Sequence, residues 1–145
     1  MERKTVEQQL QELLPKSLDD IIRKNREHGS LRLATEADKR AIAHRIVPTG
    51  RATPITRWNL ITLDVRGSAP IQYTILVGWN DVTGTTWNTS PIVELDAAAG
   101  LVVTRSGTLY RMSGESGAKI DLLCICAWLH QTPAGKFLGV PEFFY

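Results

Sequence analysis

The segment IQYTILVGWN, residues 71–80, has an apolar side chain at every second position from Ile71 to Trp79. Successive side chains of a β-strand point to opposite faces, so this alternation predicts a strand with its apolar residues on one face. Gln72, Thr74 and Asn80 fall on the other face. Antiparallel sheets commonly pack one face on a core and leave the other solvated. We therefore expect a half-buried antiparallel sheet whose second face is mostly wet.

Four further strands are predicted around this segment, separated by short stretches rich in Gly, Asp, Thr and Ser. Pro91 indicates an edge position or a bulge within one of them, because proline cannot donate to a strand ladder. Together the five strands predict an antiparallel meander over residues 58–112, either strongly curved or closed as a small barrel. The other four strands are 58–65, 86–95, 101–105 and 108–112.

Ser106-Gly107 predicts a two-residue hairpin loop between the last two of these strands. That loop length sets Val103 opposite Tyr110 and Leu101 opposite Met112 on one face. Apolar residues then pair with apolar residues, so the hydrophobic pattern agrees with the predicted turn.

Residues 1–47 predict three short helices that precede the sheet. Apolar residues three and four positions apart predict a first helix that ends near Pro15. Residues 17–29 predict a second helix, with cations in its last turns and glycine at its end. Thr35 is expected to cap a third helix over residues 36–46. These helices are too short to hold a separate core, so we expect them to pack on the sheet or on a partner.

The segments on either side of the sheet complete a single α+β domain over residues 1–145. Residues 48–57 contain two prolines and one glycine and predict a linker into the sheet. Residues 118–131 predict a helix that is apolar almost all round and must be covered on more than one side. We expect it to pack on the sheet, with the N-terminal helices or another subunit on its outer side. The tail, residues 132–145, is strongly aromatic, and we expect it to dock into a groove.

The charge is unevenly distributed although the formal net charge is only +2. Residues 1–57 hold 12 Lys and Arg against 8 Asp and Glu, so the basic character lies in this first part. The N-terminus has no secretory signal pattern, and the longest apolar run has 8 residues where a membrane span needs about 20. We expect a cytoplasmic protein with reduced thiols at Cys124 and Cys126 and without a membrane association.

No motif for catalysis, a metal or a cofactor is recognisable. Cys124, Cys126 and His130 lie close together in the sequence and are potential zinc ligands. Structural zinc needs four ligands, and the chain has no second cysteine pair to complete the set. His28 and His44 have no nucleophile or carboxylate at motif spacing. No phosphate-binding loop, dinucleotide fingerprint or hydrolase motif occurs. The sequence therefore predicts no catalytic residue, no metal site and no cofactor.

Candidate binding residues come from four features of the sequence. A cation at the tip of the predicted hairpin and a second one nearby could touch an acidic surface or phosphate. The basic first third could serve nucleic acid, although interleaved acidic residues favour a solvated helical surface. One tryptophan among polar residues suits either the core or an interface rim, and the aromatic tail suits a docking groove. The candidates are Arg105, Arg111, Trp87, Arg23, Lys24, Arg40, Phe143, Phe144 and Tyr145.

The leading hypothesis is a non-catalytic cytosolic binding protein that acts by contact with a protein partner. Such a protein would be an inhibitor or adaptor of a larger complex, for example a phage or plasmid accessory protein of the anti-defence type. The apolar helix and the aromatic tail also favour self-association as a homodimer. One alternative is nucleic-acid binding through the basic N-terminal helices. Another is a small enzyme or toxin whose reactive groups assemble only in the fold.

Overall fold

The computed structural model describes residues 5–67, 70–117 and 119–142 of the 145-residue chain. The fold is mixed α+β, with short helices and a seven-stranded sheet that stays open within this described part. The helices are α1 Val6–Leu13, α2 Glu36–Ala41, α3 Leu122–His130 and α4 Pro133–Phe137. The strands are β1 Gly29–Leu33, β2 Thr53–Val65, β3 Ile71–Asn80, β4 Thr85–Asn88, β5 Ile92–Asp96, β6 Leu101–Thr104 and β7 Leu109–Met112.

Strand β2, with 13 residues, is the centre of the sheet. One of its edges pairs antiparallel with β3, and its other edge is shared by two strands. β7 runs parallel to residues 53–55, and β1 runs antiparallel to residues 61–65. The strand order is β4-β3-β2-β7-β6-β5, with β1 added to β2. The predicted five-stranded antiparallel meander is therefore wrong, because the β2–β7 pair joins distant segments that no turn signal connects.

The hairpin of β6 and β7 has a three-residue loop in place of the predicted two-residue loop. The Thr104 amide donates to the Thr108 carbonyl at 3.1 Å, and the loop between them ends in Gly107 with φ +85°. A left-handed third residue is typical of such loops, which contain a bulge. Val102 consequently lies opposite Tyr110, so the predicted pairing of Val103 with Tyr110 is wrong by one position. A shift of one residue places Val103 and Tyr110 on opposite faces of the sheet.

The predicted strand 86–95 is two strands, β4 and β5, which belong to opposite ends of the strand order. Thr89 separates them by holding the end of β4 on β3. Its amide donates to the Leu76 carbonyl at 3.0 Å, and its hydroxyl accepts from the Leu76 amide at 3.1 Å. Pro91 follows, and the chain then pairs with β6.

Both faces of the central strands are covered. Ile61, Leu63 and Ile75 lie on one face in a cluster with Ile125 and Leu129 of α3. The opposite face packs in a second cluster, which consists of Ile55, Leu60, Leu76, Ile92, Leu95, Val102 and Tyr110. The expectation of a mostly wet second face is therefore wrong, because β5, β6 and β7 fold over it.

The N-terminal part is less helical than predicted. Residues 17–28 form two single-turn 3₁₀ helices, Asp19–Ile21 and Arg26–His28, and the chain then enters β1. β1 pairs with the free edge of β2, and this long-range interaction overrides the local helical pattern. Thr35 caps α2 as predicted, with a capping box to Asp38, but α2 ends at Ala41 rather than at residue 46. The predicted linker 48–57 contains the first residues of β2.

The C-terminal part contains two helices. Asp121 caps α3 by accepting a hydrogen bond from the Cys124 amide at 3.1 Å, so the helix is shorter than the predicted 118–131. α4 lies within the segment that was predicted to be an aromatic tail. The Leu138 carbonyl accepts hydrogen bonds from the amides of Arg23 and Lys24, both at 2.9 Å. Phe143, Phe144 and Tyr145 lie outside the described residues. Within the described ranges, no helix combines the length and the apolar character that a membrane crossing requires.

Candidate functional site

A cleft of about 570 Å³ opens where β2 and β3 meet the segment that leads into α3. Its volume falls within the roughly 300–1,000 Å³ that is usual for ligand sites. We call it the Arg57 cleft. The residues that define it are Arg57, Asn59, Trp79, Lys119, Asp121 and Cys124, together with Val77, Thr86 and Ile120.

A β-bulge in β2 positions Arg57. Thr56 pairs with Trp79 and Asn59 pairs with Val77, so β2 has one extra residue opposite Gly78. Gly78 permits this close approach, since a Cβ atom there would lie 2.7 Å from the Thr56 carbonyl oxygen. Arg57 itself has φ +47°, which costs a non-glycine residue about 1–2 kcal/mol. Strained backbone of this kind is concentrated at functional sites.

The guanidinium of Arg57 lies over the ring of Trp79, with 5.5 Å between its Cζ atom and the ring centroid. This cation–π contact orients the exposed arginine side chain without neutralising its charge. Both side chains line the cleft; the tryptophan is half-buried and the arginine is exposed.

The loop before α3 forms the second wall of the cleft and is fixed to the bulge. The Gly117 amide donates to the Trp58 carbonyl at 2.9 Å, and the Asn59 side-chain amide donates to the Gly117 carbonyl at 3.1 Å. A Cβ atom at Gly117 would lie 2.6 Å from the Arg57 carbonyl oxygen. The loop therefore approaches the strand closely, which sets the position of Lys119 at the cleft.

The electrostatic balance of the cleft is positive. Arg57 and Lys119 are both exposed, and neither has a carboxylate within 4.0 Å among the residues that the structure describes. Asp121 is the acidic residue in the lining, and its carboxylate accepts the capping hydrogen bond of α3. The cleft is therefore suited to an anionic ligand with an apolar portion.

A second cavity of about 390 Å³ lies at the other end of α3. We call it the Arg105 notch, and its main lining residues are Tyr73, Asn88, Ser90, Arg105, Trp128 and Gln131. Arg105 lies over the Tyr73 ring, with 4.9 Å from Cζ to the centroid. The Arg105 amide donates to the Pro91 carbonyl at 2.7 Å, which continues the β5–β6 pairing up to the hairpin loop. The structure thus places the predicted candidate Arg105 in a cavity rather than on a projecting finger.

A side-chain contact joins the linings of the two cavities. Asn88 lines the notch and Cys124 lines the cleft. The Nδ2 atom of Asn88 lies 3.3 Å from the carbonyl oxygen of Cys124 and 3.2 Å from its Sγ atom, and donates to both. Burial raises the pKa of the Cys124 thiol, so the group stays protonated at neutral pH and is a poor nucleophile.

The other predicted cations do not join these cavities. Arg23 pairs with Asp20 at 3.5 Å, beside α4. Lys24 packs its side chain near Gly139. Arg40 is exposed on α2, and Arg111 is exposed on β7. The predicted basic surface is also partly neutralised, through the ion pairs Arg26–Asp19, Arg32–Asp38 and Lys39–Glu36.

Trp87 contributes mainly to the interior. It is half-buried and packs against the second core cluster. Its indole Nε1 donates to the hydroxyl of Tyr110 at 3.2 Å, which links β4 to β7 across the folded sheet. Trp79, and not Trp87, is among the lining residues of the Arg57 cleft.

A polar pocket that held both Asp121 and His130 would favour the enzyme hypothesis, but these two residues do not meet. Asp121 and His130 lie at opposite ends of α3, about 13 Å apart along a helix of this length. The His130 Nε2 atom lies 2.9 Å from the Pro141 carbonyl oxygen. In the described ranges, no three His, Cys, Asp or Glu side chains group in a way that could hold a metal ion.

Sequence reasoning missed Arg57, Trp79 and Lys119 as a set. The available signal was Gly78, an isolated glycine within an alternating strand, which indicates a bulge or a close backbone approach. The signal locates the bulge but does not identify the residue on the partner strand that the bulge turns outward.

The comparisons with known proteins gave no match: no family model, no curated protein and no solved structure is similar to this chain. The functional conclusion therefore depends on the geometry of the site.

Proposed function

We propose that the protein is a non-catalytic binding protein that receives an acidic segment of a partner protein in the Arg57 cleft. The observation that carries the proposal is the pair of exposed cations, Arg57 and Lys119, at a cleft that is also lined by the ring of Trp79. A carboxylate side chain has the charge for this site and can pair with a guanidinium through two parallel hydrogen bonds.

The shape and chemistry of the cleft favour a peptide segment over a small ion. Val77, Trp79 and Ile120 contribute apolar lining beside the two cations. A site of this kind buries the apolar part of a side chain while it pairs the charged end. Arg57 is already oriented by Trp79, so less side-chain entropy is lost when a carboxylate binds.

Binding is favoured over catalysis by the state of the reactive groups in the cleft. The Cys124 thiol is held protonated by burial, and the Asp121 carboxylate accepts a helix-capping hydrogen bond. The thiol is therefore a poor nucleophile, and the carboxylate stabilises the start of α3.

Nucleic acid is the less favoured ligand for the same surface. Proteins that bind single strands use free aromatic faces on which bases stack. The ring of Trp79 has the guanidinium of Arg57 over it, so a base could stack there only after the arginine had moved. The N-terminal cations that favoured nucleic acid are partly neutralised by the ion pairs Arg23–Asp20 and Arg26–Asp19.

The test is an NMR titration of the ¹⁵N-labelled protein with an acetylated and amidated tri-glutamate peptide at low salt. We expect shifts of the Trp79 indole N–H, weaker binding at higher salt, and about a tenfold loss of affinity in Arg57→Gln and in Lys119→Gln. The matched control is Arg51→Gln, because Arg51 is an exposed arginine outside the cleft lining.

Equal affinity of Arg57→Gln and the unaltered protein would contradict the proposal. Tighter binding of a thymidine trinucleotide than of tri-glutamate, with shifts at the same residues, would replace the peptide with nucleic acid.

A further inference from the structure

We infer that the Arg57 cleft and the Arg105 notch form one extended site for an acidic peptide segment whose two acidic side chains are about 20 Å apart. This inference rests on the proposed function and specifies the ligand. The Arg57 cleft would hold one acidic side chain of the ligand, and the Arg105 notch would hold the other.

The two arginine–aromatic pairs stand at opposite ends of the same strand face. Tyr73 and Trp79 are six positions apart on β3, so both point to the same face, about 20 Å apart at strand spacing. Arg105 lies over the first ring and Arg57 over the second. α3 spans the interval, since its start lines the cleft and its end lines the notch.

The middle of this site is polar but uncharged. It consists of the contact between Asn88 and Cys124, which joins the two linings. Among the residues that the structure describes, the Oδ1 atom of Asn88 accepts no hydrogen bond, whereas its Nδ2 atom is engaged with Cys124. An extended ligand could therefore donate a backbone N–H to Asn88 as it passes from one cavity to the other.

The second anchor also suits an anion. Arg105 is exposed, and the notch lining contains hydroxyl and amide groups from Ser90, Asn88 and Gln131 but no carboxylate among its described residues. An acidic side chain would thus meet one cation and several hydrogen-bonding groups without a repelling charge.

The spacing of the charges favours a peptide over a nucleic acid. Cations stand at the two ends, and the described middle of the site has none. A nucleic acid strand carries a negative charge at every phosphate and would leave the central ones unpaired. A peptide with acidic residues at positions 1 and 7 and neutral residues between them spans about 20 Å when extended. Once one acidic side chain of the peptide is bound, the other binds at a high effective concentration. The affinity therefore rises without a new type of interaction.

The test compares two seven-residue peptides by NMR titration. The two-ended peptide has glutamate at positions 1 and 7 with Gly-Ser residues between them, and the one-ended peptide has glutamine at position 7. We expect the two-ended peptide to bind at least tenfold tighter and to shift the Trp79 indole and the Gln131 side-chain amide together. In Arg105→Gln this advantage disappears, and the two peptides bind with equal affinity.

A charge exchange provides the second variant. Arg105→Glu should lose affinity for the two-ended peptide and regain it for a peptide with glutamate at position 1 and lysine at position 7. Arg111→Gln is the control, because Arg111 is exposed but lines neither cavity.

Equal affinity of the two peptides, or an unchanged advantage in Arg105→Gln, would overturn the extended site and leave the proposed function intact if tri-glutamate still binds at Arg57. Failure of tri-glutamate itself would remove the proposed function. Tighter binding of a thymidine tetranucleotide with shifts at both cavities would overturn the peptide assignment.

Discussion

The guanidinium of Arg32 holds the carboxylate of Asp38 through two hydrogen bonds, Nε to Oδ2 at 3.0 Å and Nη2 to Oδ1 at 2.8 Å. Asp38 is only 4% exposed. The same carboxylate accepts from the Thr35 amide at 2.9 Å and from the Gln72 side chain at 3.1 Å. One buried acid therefore connects β1, α2 and β3. The hydrogen bonds from Arg32 hold the pKa of Asp38 well below its usual range.

Asp38→Asn should destabilise the protein by about 2–4 kcal/mol, because the cation of Arg32 loses its buried partner. The measurement is the free energy of unfolding in urea at pH 7. Asp64→Asn is the control, since Asp64 is more exposed and lies 3.5 Å from Arg32 Nη1. We expect this control to cost less than about 1 kcal/mol.

The same carboxylate predicts acid sensitivity. Its pKa is lower in the folded state than its ordinary value of 3.8, so its stabilising contribution is fully present above that value. The contribution declines as the pH falls below it towards the folded-state pKa. Unfolding curves between pH 6 and pH 2 should show a steeper loss of stability in the unaltered protein than in Asp38→Asn. Parallel curves would contradict this assignment.

Arg57→Gly should bind the acidic peptide more weakly while its stability stays equal or rises by up to about 1 kcal/mol. Glycine adopts the left-handed conformation of this position without the steric cost that arginine incurs. The measurements are thermal unfolding and the tri-glutamate titration. Arg57→Asn is the control, because asparagine also tolerates this conformation. A marked loss of stability in both variants would show that the arginine supports the fold.

Gly78→Ala should destabilise the protein by about 2–3 kcal/mol, because its Cβ atom would overlap the backbone of the β2 bulge. The added atom would lie 2.7 Å from the Thr56 carbonyl oxygen and 3.0 Å from the Trp58 Cα atom. Gly50→Ala is the matched control, since a Cβ atom there has no neighbour within 4 Å. Urea unfolding of both variants provides the comparison, and equal stabilities would argue against the close approach.

Cys126 should resist alkylation in the native protein. Its side chain is fully buried, and burial raises the pKa of its thiol to about 11. Only the thiolate reacts with iodoacetamide, so labelling at pH 8 should be slow until the protein is unfolded. The half-buried Cys124 should react first, and peptide mass spectrometry distinguishes the two residues. Rapid native labelling of Cys126 would contradict its buried position.

Local patterns in the sequence determined several elements of this protein. The alternation over residues 71–80 produced β3, the Thr35 cap began α2, and the apolar run after Asp121 became α3. Each of these signals acts within a few residues, because side-chain alternation and capping hydrogen bonds depend on neighbouring backbone atoms. The α+β class followed from these elements.

The tertiary structure alone decided how the elements pair and where the cavities form. β1 and β7 attach to β2 through long-range pairings, and the left-handed conformation of Gly107 moved the last hairpin by one position. Arg57 and Trp79 meet only because the extra residue in β2 lies opposite Gly78. Strand pairing depends on edges supplied by distant parts of the chain. A shift of the pairing register by one residue moves every side chain of a strand to the opposite face. The sequence pattern therefore specified the strands, while the pairing of their edges created the site.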